Sequence, residues 1–236
     1  MGRKEVAPFI WWQERGDGML RQFDESLHEL KTLLLDMGEK LEIAIDKSVK
    51  SLARMDVDLA HEVLENDGAI DGLEDQVDEK VATLIATQQP VAKDLRKLIA
   101  ALQIASDTER MADLACNIAE VTLHLAKNDL TLFKELEDIP EMARITQRMV
   151  HDGINSYIDG NVQMAQAMAE TDDQVDQMYE DIIKEHLRDM IQQPDCTEVA
   201  LRLSFVARYL ERIADHATNI AESIVYIETG KREDLN

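Results

Sequence analysis

"ERMADLACNIAE", Glu109 to Glu120, returns 102 positions later as "ERIADHATNIAE", Glu211 to Glu222, with nine of the twelve residues unchanged. Neither copy holds Gly or Pro, and Met111, Leu114, Ile118 and Val121 advance in the steps of three and four that mark a helix seam. The block is therefore a helix written twice. Helix packing alone does not account for what is kept, because both glutamates, the arginine, the aspartate and the asparagine survive while Met111 and Leu114 become Ile213 and His216.

Outward from this block the duplication extends over most of the chain. "ENDGAIDGLED" (Glu65–Asp75) aligns with "ETDDQVDQMYE" (Glu170–Glu180) at an offset of 105, and Pro90 and Pro194 then fall at matching places before a long helical pattern. Internal repeats of this kind set the architecture. Residues 24–127 and 140–230 read as two copies of one unit, joined around "NDLTLFKELEDIP". In the first copy, Leu27, Leu30, Leu34, Met37, Leu41, Ile45, Val49 and Leu52 form one seam, and Leu59, Val63, Ile70, Leu73, Val77, Val81 and Leu84 form a second. With the block itself as the third, each unit is three helices with short connections. No alternating β-branched run or Asn-Gly turn suggests a strand. The predicted fold is all-α: two tandem three-helix bundles, six long antiparallel helices in all. Residues 22–130 and 138–232 are the two bundles. Residues 1–21 have no counterpart in the repeat and are set outside the fold, as a native extension, an expression remnant or a stretch upstream of a natural start at Met19.

Composition excludes several classes of function. A net charge of −23 is the wrong sign for a nucleic-acid binder, which needs a basic stripe to replace phosphate counterions, and for an anionic membrane surface. No apolar run approaches the ~18 residues of a membrane span, so no membrane insertion is expected. The two cysteines, Cys116 and Cys196, form no metal spacing, which fits a reducing, cytoplasmic setting. No glycine-rich phosphate loop, nucleophile elbow or Ser/His/Asp pattern appears; no catalytic group is expected.

The acidic pattern is the candidate site. On the third helix Glu109, Asp113, Asn117 and Glu120 form a line of oxygens facing outward or toward a groove edge. On the second helix Asp67, Asp71, Glu74 and Asp78 follow a 4-3-4 rhythm. The second copy keeps Asp172 and Asp176 in register with Asp67 and Asp71, and Glu211 and Asp215 with Glu109 and Asp113, but carries Tyr179 and Ile183 in place of Glu74 and Asp78. Carboxylates at i,i+4 repel by a few tenths of a kcal/mol per pair. In a chain with 48 acidic residues most such pairs are solvated faces, yet these four pairs outlast a duplication that changed their neighbours. Two adjacent helices would gather at least four carboxylates, and a cation relieves their repulsion. Oxygen-only ligands favour hard ions: iron, manganese, magnesium or calcium, with zinc also to be tested. Arg110 and Arg212 stand one residue along, placed to pair with supporting carboxylates. Glu25-Ser26-Leu27-His28 matches the Glu-x-x-His of di-iron bundles once only, His216 reads as a tolerated face histidine, and Cys116 as a small packing residue. The competing expectation is an enzyme, a metal-dependent hydrolase or a carboxylate di-iron oxidase built on the same ligands.

The stretch "FDESLHELKTLLLDMGEKLEIAIDKSV", the Asp-x-x-x-Asp segments and the doubled "ER-[MI]-AD-x-A-x-NIAE" together resemble the PhoU family of phosphate-uptake regulators, over about residues 22–232. The resemblance implies two tandem three-helix bundles whose E/D-x-x-x-D motifs hold metal ions on the bundle surface. Carried over, these are Asp67/Asp71 with Glu109/Asp113, Glu74/Asp78 as a further first-copy motif, and Asp172/Asp176 with Glu211/Asp215. Tyr179 and Ile183 depart from the motif and imply a second site that is poorer or differently built. It further implies a cytoplasmic, non-enzymatic homodimer that represses the phosphate-starvation response by contacting the sensor histidine kinase of the Pho system and the ATPase of the phosphate ABC transporter.

Overall fold

The computed structural model describes residues 10–231 and Leu235, with side chains from Phe23 onward. Residues 1–9 of the segment set outside the fold, residue 232 at the end of the second expected bundle, and residues 233, 234 and 236 beyond it lie outside the described residues. Among those described there is no strand. Helix α1 (Ile10–Arg54) opens the first bundle, beginning within the segment that has no counterpart in the repeat. It is followed by α2 (Val57–Asn66), α3 (Gly68–Gln88) and α4 (Lys93–Lys127). The second bundle is α5 (Asp138–Asp159), α6 (Val162–Gln166), α7 (Met168–Gln192) and, after a short 3-10 turn at Pro194–Cys196, α8 (Thr197–Thr229).

Six rods are thus built, but the middle rod of each bundle is stepped, α2 into α3 at Asp67 and α6 into α7 at Ala167. Both middle rods begin with the same device. Asp56 accepts a hydrogen bond from the Leu59 amide at 3.0 Å, and Asn161 accepts one from the Met164 amide at 3.1 Å. Each side chain satisfies one of the orphan donors of a helix start, and the two residues correspond at the repeat offset of 105.

The predicted seams are buried: Leu30, Leu34, Met37, Leu41, Ile45 and Leu52 of α1, for example, are wholly inaccessible. What periodicity did not indicate is that the bundles share one continuous core. Helix α4 runs antiparallel to α8 along its length, tied by Lys93–Glu228 at one end, His216 Nδ1–Asp107 Oδ1 (2.9 Å) in the middle and His124–Glu198 (3.1 Å) at the other. Helices α1 and α5 pair likewise, through Gln147 donating to the Glu42 carbonyl at 2.8 Å and Lys31 to that of Ile158. His216 is therefore a bridge between bundles. The connecting segment is also pinned, since Lys134 reaches Glu185 at 2.6 Å and Asp189 at 2.9 Å on α7.

One glycine faces the neighbouring bundle directly. A Cβ on Gly38 of α1 would collide with Ile154 Cδ1 of α5. Overfilling a packed contact of this kind typically costs about 1–3 kcal/mol. We expect Gly38→Val to lower the unfolding free energy measured by denaturant titration by that amount; a value equal to wild type would show that the seam is slack.

Candidate metal centre

The repeated carboxylates meet in two grooves, α3 against α4 and α7 against α8. In the first, Asp67, Asp71, Glu74, Asp78, Glu109 and Asp113 act on one another. Burial, followed by the charges of Asp113, Glu74, Asp71 and Asp67, raises the pKa of Glu109. Burial and Asp78 raise that of Glu74, opposed by a hydrogen bond from Ser106. Asp67 is raised by burial and opposed by a hydrogen bond from the Cys116 thiol. That thiol is itself pushed up to about 12, by burial and then by the charge of Asp67, so it is a donor to the site and not a nucleophile.

The second groove is tighter. Asp176, Glu211 and Asp215 each offer an oxygen, and these oxygens lie within 4.8 Å of one another, the one such grouping of three among the described residues. Two ligands of a single hard ion are at most twice a bond of roughly 2.0–2.6 Å apart, so this spacing suits one ion. Asp172 lies beside them, its charge among those acting on Glu211.

The acidic line does not lie wholly on the surface as the helix pattern suggests. Glu211 is 7% exposed and Asp172 5%. Glu211 Oε2 and Asp172 Oδ1 are buried without a hydrogen-bond partner, each a loss of about 1–3 kcal/mol. Burial and then Asp215 raise Glu211 to about 7, with Arg208 opposing. Burial raises Asp172 to about 6, with the Thr218 hydroxyl opposing. Buried carboxylate oxygens lacking donors, crowded by like charges, fit a cation. The grouping of three contains no histidine.

Three partners were missed from the sequence. Arg208 makes the ion pair to Glu211, whereas Arg110 lines a cavity of about 310 Å³ between α4 and α8 with Asn219 and Glu222. The i,i+3 spacing of Arg208 and Glu211 was the available signal. Cys116 and Thr218 are repeat mates, and each opposes the rise that burial causes in the pKa of the matching aspartate, Asp67 or Asp172, although the Thr218 hydroxyl donates to the Ala214 carbonyl at 3.2 Å. What they share is a hydrogen on a small side chain, which the residue names conceal.

Comparison with known proteins agrees with this architecture. The PhoU domain profile matches twice, at residues 34–122 and 139–224. A phosphate-specific transport system accessory protein PhoU homolog from Clostridium acetobutylicum is 34% identical over 91% of this chain and 97% of its own. The crystal structure of PhoU from Pseudomonas aeruginosa superposes with a TM-score of 0.82 at 29% identity, covering 89% of this chain and 100% of that one. The phosphate transport system regulatory protein PhoU from Streptococcus pneumoniae gives 0.81 at 31%, covering 90% and 99%. These relatives are accessory and regulatory proteins, not enzymes. The twice-matched domain, the relatives more than 30% identical over nearly the whole chain and the shared six-rod fold place this chain in the PhoU family.

Proposed function

We propose that the protein is a metal-binding, cytoplasmic negative regulator of phosphate uptake and of the phosphate-starvation two-component response. It holds hard metal ions in its two carboxylate grooves and acts by contact with the Pho sensor kinase and the phosphate transporter ATPase, as a homodimer. The observation that carries the metal half is the pair of donor-less buried oxygens, on Glu211 and Asp172, beside three converging carboxylate oxygens. The regulatory half is supported by the accessory and regulatory names of its relatives. Among the described residues no helix is long and apolar enough to cross a membrane, which is consistent with a regulator reaching the transporter through its ATPase.

Elemental analysis of protein purified without chelator tests the metal half. We expect bound iron, manganese or another hard ion in wild type and its loss in Glu109→Ala/Asp113→Ala/Glu211→Ala/Asp215→Ala. A metal-free wild type, or an unchanged metal content in the variant, overturns it. Affinity capture from phosphate-replete cells tests the regulatory half, with the kinase and the transporter ATPase as the expected catches and their absence as the contrary result.

A further inference from the structure

The two grooves are not equivalent: Ile183 stands where the first has Asp78, and one exchanged pair of residues changes the charge at the centre. In the first groove Ser106 of α4 stands beside Glu74 of α3, its hydroxyl opposing the rise of that carboxyl's pKa. At the matching positions of the second groove stand Arg208 of α8 and Tyr179 of α7, the guanidinium 5.6 Å from the ring centroid. A hydroxyl and an anion have been replaced by a cation and the aromatic face that receives it. The same Arg208 pairs with Glu211 through Oε1, leaving Oε2 of that carboxylate buried and without a donor. Its charge also acts on Asp176, lowering a pKa that burial and Asp215 raise. Two of the three oxygen-bearing residues grouped in the second groove thus already feel a positive charge supplied by the chain.

The consequences follow from charge alone. The first groove gathers six carboxylates, Asp67, Asp71, Glu74, Asp78, Glu109 and Asp113, with Ser106 where the second groove has its arginine. The second gathers Asp172, Asp176, Glu211 and Asp215, with Asp173 and Glu180 also acting on Asp176, and it carries a resident cation on Glu211. An external cation entering the second groove meets the repulsion of a guanidinium fixed between Tyr179 and Glu211.

We infer that Arg208, steadied on Tyr179, is a built-in counter-cation that weakens the second groove's hold on an external metal ion, so that the two grooves fill in order, the first copy before the second. This rests on the metal-binding reading above. Such an order makes the second groove a threshold element, responsive to a metal concentration at which the first is already full. Arg208 is a specificity-setting residue here and not itself a ligand.

Mn²⁺ titration of the chelator-treated protein, with free ion read by electron paramagnetic resonance, tests the assignment. Two affinity classes are expected, and in Glu109→Ala/Asp113→Ala the weaker class alone should remain. In that background Arg208→Gln, which keeps a hydrogen-bonding group and removes the charge, should tighten the remaining class roughly 10- to 100-fold, the range set by a hydrogen bond to a charged group. Arg208→Ser should do the same, and Arg208→Lys should return the wild-type value. Melting curves supply a readout that a structural role would not produce. Without metal the Arg208→Gln protein melts lower than wild type, and Mn²⁺ raises its midpoint by more than it raises that of wild type. An unchanged or weakened class in a folded Arg208→Gln protein, or equal Mn²⁺ increments for both proteins, overturns the role of Arg208 while leaving metal binding intact. A wild type that takes up no Mn²⁺ overturns both.

Discussion

The stability of the chelator-treated protein is expected to fall as pH rises from about 4.5 to about 7, and bound metal should reverse the slope. Glu211 moves from 4.5 in an ordinary setting to about 7 in the fold, and Asp172 from 3.8 to about 6. A group whose folded pKa is raised stabilises the fold fully below its unfolded value, and that contribution is lost as pH passes through the folded value. Protons hold these buried oxygens at low pH; nothing replaces them at high pH unless a cation does. The shift of Glu211 alone corresponds to about 3 kcal/mol, or roughly 6–12 °C in melting temperature for a chain of this size. Metal binds the ionised form, so its stabilisation grows with pH and reaches about 2.7 kcal/mol at a hundredfold excess over Kd. Thermal melts from pH 4.5 to 8, with chelator and with Mn²⁺, measure both slopes. Glu211→Gln should flatten the chelator curve and remove the second groove's share of the metal increment. Parallel curves with and without metal would contradict the site.

Leu210→Ala should produce a loss of the opposite character, large and indifferent to metal. Leu210 is wholly buried on α8, beside Glu211 in sequence, and belongs to the core that both bundles share. Removing such a side chain costs about 2–5 kcal/mol through lost transfer energy and the cavity left behind. At 2–4 °C per kcal/mol the melting temperature falls by roughly 4–20 °C. Because α8 packs on α4, α5 and α7, the two bundles should lose structure together. A single transition, equally displaced at pH 5 and pH 8, is the expected curve. Two separated transitions would mean that the bundles melt as independent units and that the shared core is not cooperative.

The contrast between these experiments follows what could be read along the chain and what could not. Helix seams are local: Leu30, Leu34, Met37 and Leu41 repeat at helical spacing whatever they later touch, so the rods were legible. The N-cap pair Asp56 and Asn161 was equally local, although only the structure drew attention to it. The carboxylate pattern was legible because duplication retained it, and in the second groove Asp176, Glu211 and Asp215 lie close together. Their spacing was not legible: the three closely grouped oxygens belong to the second copy, where the motif's acids are fewer. Tyr179 looked like the loss of a ligand; in the fold it is the seat of Arg208.

By itself the sequence determined a doubled, wholly helical chain with paired carboxylates on the second and third rods of each unit. It also determined a composition unsuited to nucleic acid. These follow from spacing and charge, which are properties of neighbours in the chain. Tertiary structure decided that the two units share one core, that Glu211 and Asp172 are buried without donors, and that a guanidinium stands where the first copy has a hydroxyl. Burial and counter-charge depend on which distant helices approach, and α4, α7 and α8 meet only when the chain is folded. The helix pattern could assign each carboxylate to a face, but how strongly that carboxylate attracts a cation depends on what the facing helix places beside it.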